Sequence, residues 1–138
     1  MKKVNISAAN KSDNIIPILT GKNILIAEDD FYSLEMLTYL LNKTNANLFS
    51  AIDGEETIKT FFNNKIDLVL LDIRLPVLNG FGVIERLRAE NKETVVIAQT
   101  GFLDSSDLTK IQEAGFTDYI EKPVKEKILY NILSEYLG

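Results

Sequence analysis

Residues 67–76 read Asp-Leu-Val-Leu-Leu-Asp-Ile-Arg-Leu-Pro. The apolar run between Asp67 and Asp72 is too short for a helix and too continuous for a strand with one wet face. It has the look of a strand buried on both faces, the habit of a parallel sheet with helices packed on each side. Pro76 then breaks the chain, and Gly80–Glu90 carries Val83, Ile84 and Leu87 at helical spacing. A carboxylate, Asp72, is thereby placed at the carboxyl end of a buried strand.

The same unit recurs in both directions from this stretch. Upstream, Asn23–Ala27 (NILIA) is a short strand, followed by a helix over Phe31–Lys43 with Leu34, Leu37, Leu40 and Leu41 on one side. Ala46–Ala51 is a second strand, and Asp53 and Glu56 open a helix in a variant of the capping box that runs to about Asn64. Downstream, Thr94–Gln99 is a fourth strand. A helix from about Ser105 stops at Gly115, a natural C-terminal cap residue. Thr117–Glu121 is the fifth strand. Val124–Leu137 is the last helix, with Ile128, Leu129, Ile132, Leu133 and Tyr136 inward. Strand and helix alternate five times in this reading, which predicts an α/β fold: a doubly wound, five-stranded parallel sheet of (βα)5 type, flavodoxin-like. Right-handed crossovers and the usual order 2-1-3-4-5 place a ligand site at the carboxyl ends of strands 1 and 3.

The chain has 138 residues, 46% of them hydrophobic, which suits one soluble domain. Residues 1–21 are polar and Asn/Ser-rich and read as an N-terminal tail or linker, leaving 22–138 as the folded domain. Lys2, Lys3, Lys11 and Lys22 stand against Asp13 alone in the first 22 residues, whereas the remainder has 11 basic and 19 acidic side chains. A body that acidic excludes direct nucleic-acid binding through its general field. No apolar run approaches the roughly 20 residues of a membrane span, and no signal-peptide core is present, so the expected setting is cytoplasmic, away from membrane. The chain has no Cys and no His. Disulfides, thiolate zinc sites and Ser–His or Cys–His pairs are thereby excluded, and any metal is held by oxygen, in keeping with Mg²⁺, Ca²⁺ or Mn²⁺.

At the predicted carboxyl ends stand Glu28, Asp29 and Asp30 after strand 1, Asp72 after strand 3, Thr100 after strand 4, and Lys122 and Pro123 after strand 5. Carboxylates converging in a crevice repel one another unless a cation joins them. Mg²⁺ takes one or two carboxylates and keeps waters that substrate oxygens can replace. With a hydroxyl and an ammonium nearby, such a set suits a phosphoryl group, and an Asp carboxylate is a known phosphoryl nucleophile. Acids in place of glycines after strand 1 argue against a nucleotide.

Glu28-Asp29, Asp72-Ile73-Arg74-Leu75-Pro76 with Gly80, Thr100 and Lys122-Pro123, in this order at these strand ends, resemble the receiver domains of two-component response regulators, CheY-like proteins. The resemblance covers about residues 22–138. It implies that Asp72 is the phospho-acceptor and that Asp29 and Asp72 bind Mg²⁺ directly. It further implies that Arg74 gives its backbone carbonyl to the metal and that Glu28 works through a bound water. Lys122 matches the lysine that pairs with the acceptor or its phosphoryl group. Thr100 matches the switch hydroxyl, Tyr119 the switch aromatic, and Pro123 the proline often preceded by a cis bond. The implied partners are a histidine kinase or histidine phosphotransfer domain as phosphodonor, and a downstream protein or domain at the surface of the fourth helix, fifth strand and fifth helix. A weak homodimer is allowed. The domain would dephosphorylate itself slowly without being an enzyme in the usual sense. It reads as a single-domain regulator or as the C-terminal receiver of a hybrid sensor histidine kinase. Gly101 departs from the alanine common after the switch hydroxyl.

Simpler readings apply to the neighbours. Asp30 is expected at a helix N-terminus, Asp53 and Asp67 in structural positions, the Arg74 side chain in solvent, and Phe61, Phe62 and Tyr39 in packing. Two rivals remain: a Mg²⁺-dependent phosphohydrolase with an aspartyl nucleophile, and a receiver-like interaction module that works without phosphorylation. The hydrolase typically needs a second Asp two residues after the nucleophile, where this chain has Arg74; the module would have lost part of the site.

Overall fold

Successive side chains of a strand point to opposite faces, so an unbroken apolar run must be covered twice. In the computed structural model, which describes residues 15–101 and 104–138, both covers are present. The strands are β1 (Asn23–Ala27), β2 (Asn47–Ala51), β3 (Leu68–Asp72), β4 (Val95–Thr100) and β5 (Asp118–Glu121). Between and after them run α1 (Phe31–Asn42), α2 (Gly54–Asn63), α3 (Gly80–Glu90), α4 (Ser105–Ala114) and α5 (Glu126–Leu137). All paired strands are parallel, in the order β2-β1-β3-β4-β5 expected for the doubly wound fold. Leu68 and Leu70 pack with Ile24 and Ile26 against α1 and α5. Val69 and Leu71 pack with Leu25 and Ala27 against α2, α3 and α4. No helix among the described residues is long and apolar enough to cross a membrane.

Local signals set the element ends. Asp30 caps α1 by accepting from Ser33 N–H, and Asp53 caps α2 by accepting from Glu56 N–H at 2.7 Å. The Glu56 carboxylate reaches back to Ile52 N–H instead of Asp53, so the box anticipated there is incomplete. The reciprocal box occurs at Asp104 and Asp107, on α4. Gly115 ends α4 with φ of 99°, the left-handed conformation that glycine adopts without strain. The last helix starts at Glu126 and not at Val124: Lys125 is extended, and Val124 is buried ahead of the helix. Tyr130, absent from the expected inward set, is buried and donates its O–H to the Leu40 carbonyl at 2.7 Å, tying α5 to α1. Ile128 and Tyr136 are only half-buried.

The basic residues Lys2, Lys3 and Lys11 lie outside the described residues. From Ile15 on, the stretch read as a tail or linker packs locally. Pro17 and Leu19 are buried, and Leu19 N–H donates to the Thr44 carbonyl at 2.7 Å, beside the amino end of β2.

Candidate functional site

Hydrogen bonds that continue one residue beyond the strands fix the loops that carry the site. Glu28 N–H donates to Ala51 O, Ile73 N–H to Gln99 O, and Lys122 N–H to Thr100 O, at 2.9, 3.1 and 2.8 Å. The first loop residue after β1, β3 and β5 is thus as firmly placed as the sheet. Gly80 brings the start of α3 onto the acceptor strand, its N–H donating to Ile73 O at 2.8 Å. A Cβ there would lie 2.7 Å from Ile73 Cα and 2.9 Å from Asp72 O, so only glycine fits.

These placements build an open cleft of about 390 Å³ at the carboxyl edge of the sheet. Glu28, Asp29, Asp72, Arg74, Thr100 and Lys122 all line it, as does Asp30. Carboxylate oxygens of Glu28, Asp29 and Asp72 come within 4.8 Å of one another. Asp72 is 5% exposed, and each of its oxygens accepts a hydrogen bond. Oδ1 takes the Arg74 backbone N–H and Oδ2 the Lys122 ammonium, both at 2.9 Å. The same ammonium is 2.7 Å from Glu28 Oε1, and Glu28 Oε2 accepts Asp30 N–H. Asp29 is exposed at the mouth, and the Arg74 side chain is in solvent. The Lys122–Pro123 bond is cis.

The electrostatics follow from this sharing. Burial raises the Glu28 carboxyl above its ordinary range, and the Asp72 charge adds to that, against the opposing pull of Lys122 and Asp30 N–H. Burial alone would lower the Lys122 ammonium, but the two carboxylates outweigh it and hold the group protonated above its ordinary value. Two of the three carboxylates share one ammonium and Asp29 adds a third negative charge, so the cleft carries surplus negative charge and its donors are hard oxygens.

Tyr119 stands apart from this cleft. It lies on β5 opposite Ala98 and packs, half-buried, on the α2–α4 side of the sheet. Thr100 is two residues beyond Ala98 and therefore on the same face. Of the residues read as structural, Asp53 caps α2, and Asp67 accepts the Asn23 N–H across the sheet at 2.8 Å. Phe61 is buried, whereas Phe62 and Tyr39 are exposed. Sequence reasoning did not single out Gln99, which is wholly buried beside Thr100. Its polarity within an apolar strand was the available signal.

Acids where a nucleotide-binding fold has glycines, on a sheet of this order, define a flavodoxin-like fold of the receiver kind. The chain belongs to the response regulator receiver domain family, which it matches over residues 24–134. It is a signalling domain of the phosphorelay type, not a classical enzyme. It is 32% identical over 133 residues to the transcription factor SKN7 of Saccharomyces cerevisiae, covering 96% of this chain and 21% of that protein. The autoinducer 1 sensor kinase/phosphatase LuxN of Vibrio campbellii is 28% identical over 115 residues, covering 83% of this chain and 13% of LuxN. The chain thus spans about a fifth or less of these two relatives. The solved receiver domain of sensor histidine kinase PA1611 from Pseudomonas aeruginosa PAO1 superposes with a TM-score of 0.80 at 30% identity. That match covers 86% of this chain and 99% of the other, which has a magnesium ion coordinated in its active site cleft.

Proposed function

We propose that Asp72 accepts a phosphoryl group from phosphohistidine on a histidine kinase or phosphotransfer protein. A carboxylate oxygen of Asp72 forms the new bond to phosphorus, the nitrogen–phosphorus bond breaks and its electron pair stays on that nitrogen, and the donor's imidazole, already protonated on its other ring nitrogen, leaves neutral. The carrying observation is that Asp72, at the carboxyl end of β3, has both oxygens held by N–H donors and still keeps access to the cleft, whereas Glu28, held in the same way, is wholly buried. Such holding orients a nucleophile without removing its charge. In an aspartyl-nucleophile hydrolase the acid–base carboxylate would occupy the position of Arg74, which speaks against that rival.

The oxygen donors of Asp29 and Asp72, with the Arg74 carbonyl and Glu28 through water, suit Mg²⁺, which when bound neutralises charge on phosphoryl oxygens. Lys122 adds a cation that can pass from Asp72 to the phosphoryl group, and Thr100 offers a hydroxyl on the cleft wall. The modified Asp72 carries strong acceptor oxygens that draw Thr100 inward, making room beside Ala98 for Tyr119 to turn. The surface of α4, β5 and α5 then presents a changed face to a downstream partner. Differential contacts of this kind are what shift a pre-existing equilibrium. Slow hydrolysis of the acyl phosphate resets the domain.

Acetyl phosphate with Mg²⁺ should add one base-labile phosphoryl group to the protein, read by intact mass, and Asp72→Asn should take none. A base-stable adduct, or equal labelling of Asp72→Asn, overturns the assignment.

A further inference from the structure

Behind the cleft, on the opposite face of β4, Gln99 has no exposure to solvent, and neither Oε1 nor Nε2 has a hydrogen-bond partner. Strand alternation directs it with Ile97 toward the α1 and α5 layer, away from the face that carries Thr100. A separate cavity of about 50 Å³ lies there. Gln99 lines it together with Ser33 and Met36 of α1 and with Lys122, Pro123 and Val124 of the β5–α5 connection. A buried amide with nothing to bond is strongly disfavoured, and native interiors normally supply a partner.

The chemistry of the wall selects that partner. The amide offers two donors and an acceptor. An anion would satisfy only the Nε2 donors, and a cation only Oε1. A neutral molecule that both donates and accepts satisfies both ends. The size limits it further: a water needs roughly 10–15 Å³ of such space, so this cavity takes one water or a small cluster but no larger ligand. We propose that this cavity is an internal hydration site, in which water bound to the Gln99 amide bridges β4, α1 and the Lys122–Pro123 connection. The Gln99 backbone carbonyl accepts Ile73 N–H beside the acceptor aspartate, and Lys122 borders both cavities. The hydration site therefore adjoins the reacting groups through Lys122 and the β3–β4 pairing, and stands independently of the acceptor reading.

Isotope-edited NMR of the full chain tests it. The Gln99 side-chain amide protons should show cross-peaks to water with the sign of a long-lived bound molecule. In Gln99→Leu, confirmed folded by its backbone amide spectrum, long-lived water contacts to the methyl groups of Leu37 and Val124 should be absent although the parent shows them. A parent whose Gln99 protons show no bound water, or a Gln99→Leu protein that keeps those contacts, overturns the proposal. A high-resolution crystal structure gives a second reading that needs no variant. Ordered water within hydrogen-bond distance of Gln99 Oε1 or Nε2 supports the site. An amide bonded wholly to protein groups refutes it.

Discussion

At the scale of single residues, side chains with little freedom decide how the cleft is assembled. Gly80 has no chemistry of its own, yet the space it leaves is what allows α3 to start against Asp72 and Ile73. Gly80→Ala forces a backbone shift at the acceptor. Overpacking of that kind typically costs about 1–3 kcal/mol. Chemical denaturation should show that loss, and labelling by acetyl phosphate should slow because Asp72 moves relative to Lys122. Unchanged stability and rate together would mean that the contact is slack. Val77 presents the opposite case. It is 77% exposed and holds φ of 69°, which a β-branched residue adopts only under strain. Val77→Asn keeps that conformation at lower cost and should stabilise the fold by about 1 kcal/mol. The thermal midpoint should then rise by roughly 3–5 °C, and a midpoint at or below that of the parent would contradict the strain.

At the scale of elements, α4 depends most on its ends. Ile111 is its one buried side chain, whereas α3 and α5 each bury several. Its stability rests on the Asp104–Asp107 box at one terminus and on Gly115 at the other. Asp104→Ala should cost about 0.5–2 kcal/mol. Amide exchange should quicken first in α4, with β1 and β3 little changed; a uniform rise across the sheet would refute the local picture. The elements were largely legible in the sequence because buried strands and one-sided helices leave strong periodic signals, as in Leu68–Leu71 and in Val83, Ile84 and Leu87. The cluster was legible for a related reason: Glu28, Asp29, Asp72, Thr100 and Lys122 stand at strand ends, which the topology brings together. What escaped depended on partners distant in the chain. Tyr130 is buried because Leu40 offers a carbonyl, and Leu19 because Thr44 does. The alternation that turns Thr100 toward the cleft also turns Gln99 away from it, but that its amide would go unpartnered was not readable from one strand.

For the molecule as a whole, three phenols, those of Tyr119, Tyr130 and Tyr136, couple stability to alkaline pH. Burial pushes the Tyr136 hydroxyl well above its ordinary value of 10.0, and the bond it donates to Asp118 at 2.8 Å, with that carboxylate's charge, pushes it further. Tyr130 is raised in the same direction, first by burial and then by Glu126. Below about pH 9 both states of the protein keep these protons, and the groups leave stability unchanged. Above the ordinary value the unfolded chain releases protons that the folded chain retains, so stability falls as pH rises. Tyr136→Phe should be about 1 kcal/mol less stable at neutral pH, for want of the hydrogen bond, and should lose stability less steeply between about pH 9 and pH 11. Denaturation midpoints across that range decide it, and parallel alkaline slopes in parent and variant would exclude Tyr136 as a source.

The Leu19–Thr44 contact also has a geometric consequence. Parallel strands require each helix to return the chain to the amino edge of the sheet, so α5 finishes on the same side of the molecule where Leu19 is pinned. Residues 15–19 and Gly138 thus lie on the side remote from Asp72. A dye, a bead or a surface tether attached at either place leaves the acidic mouth facing outward, unobstructed and free to meet a protein as large as itself.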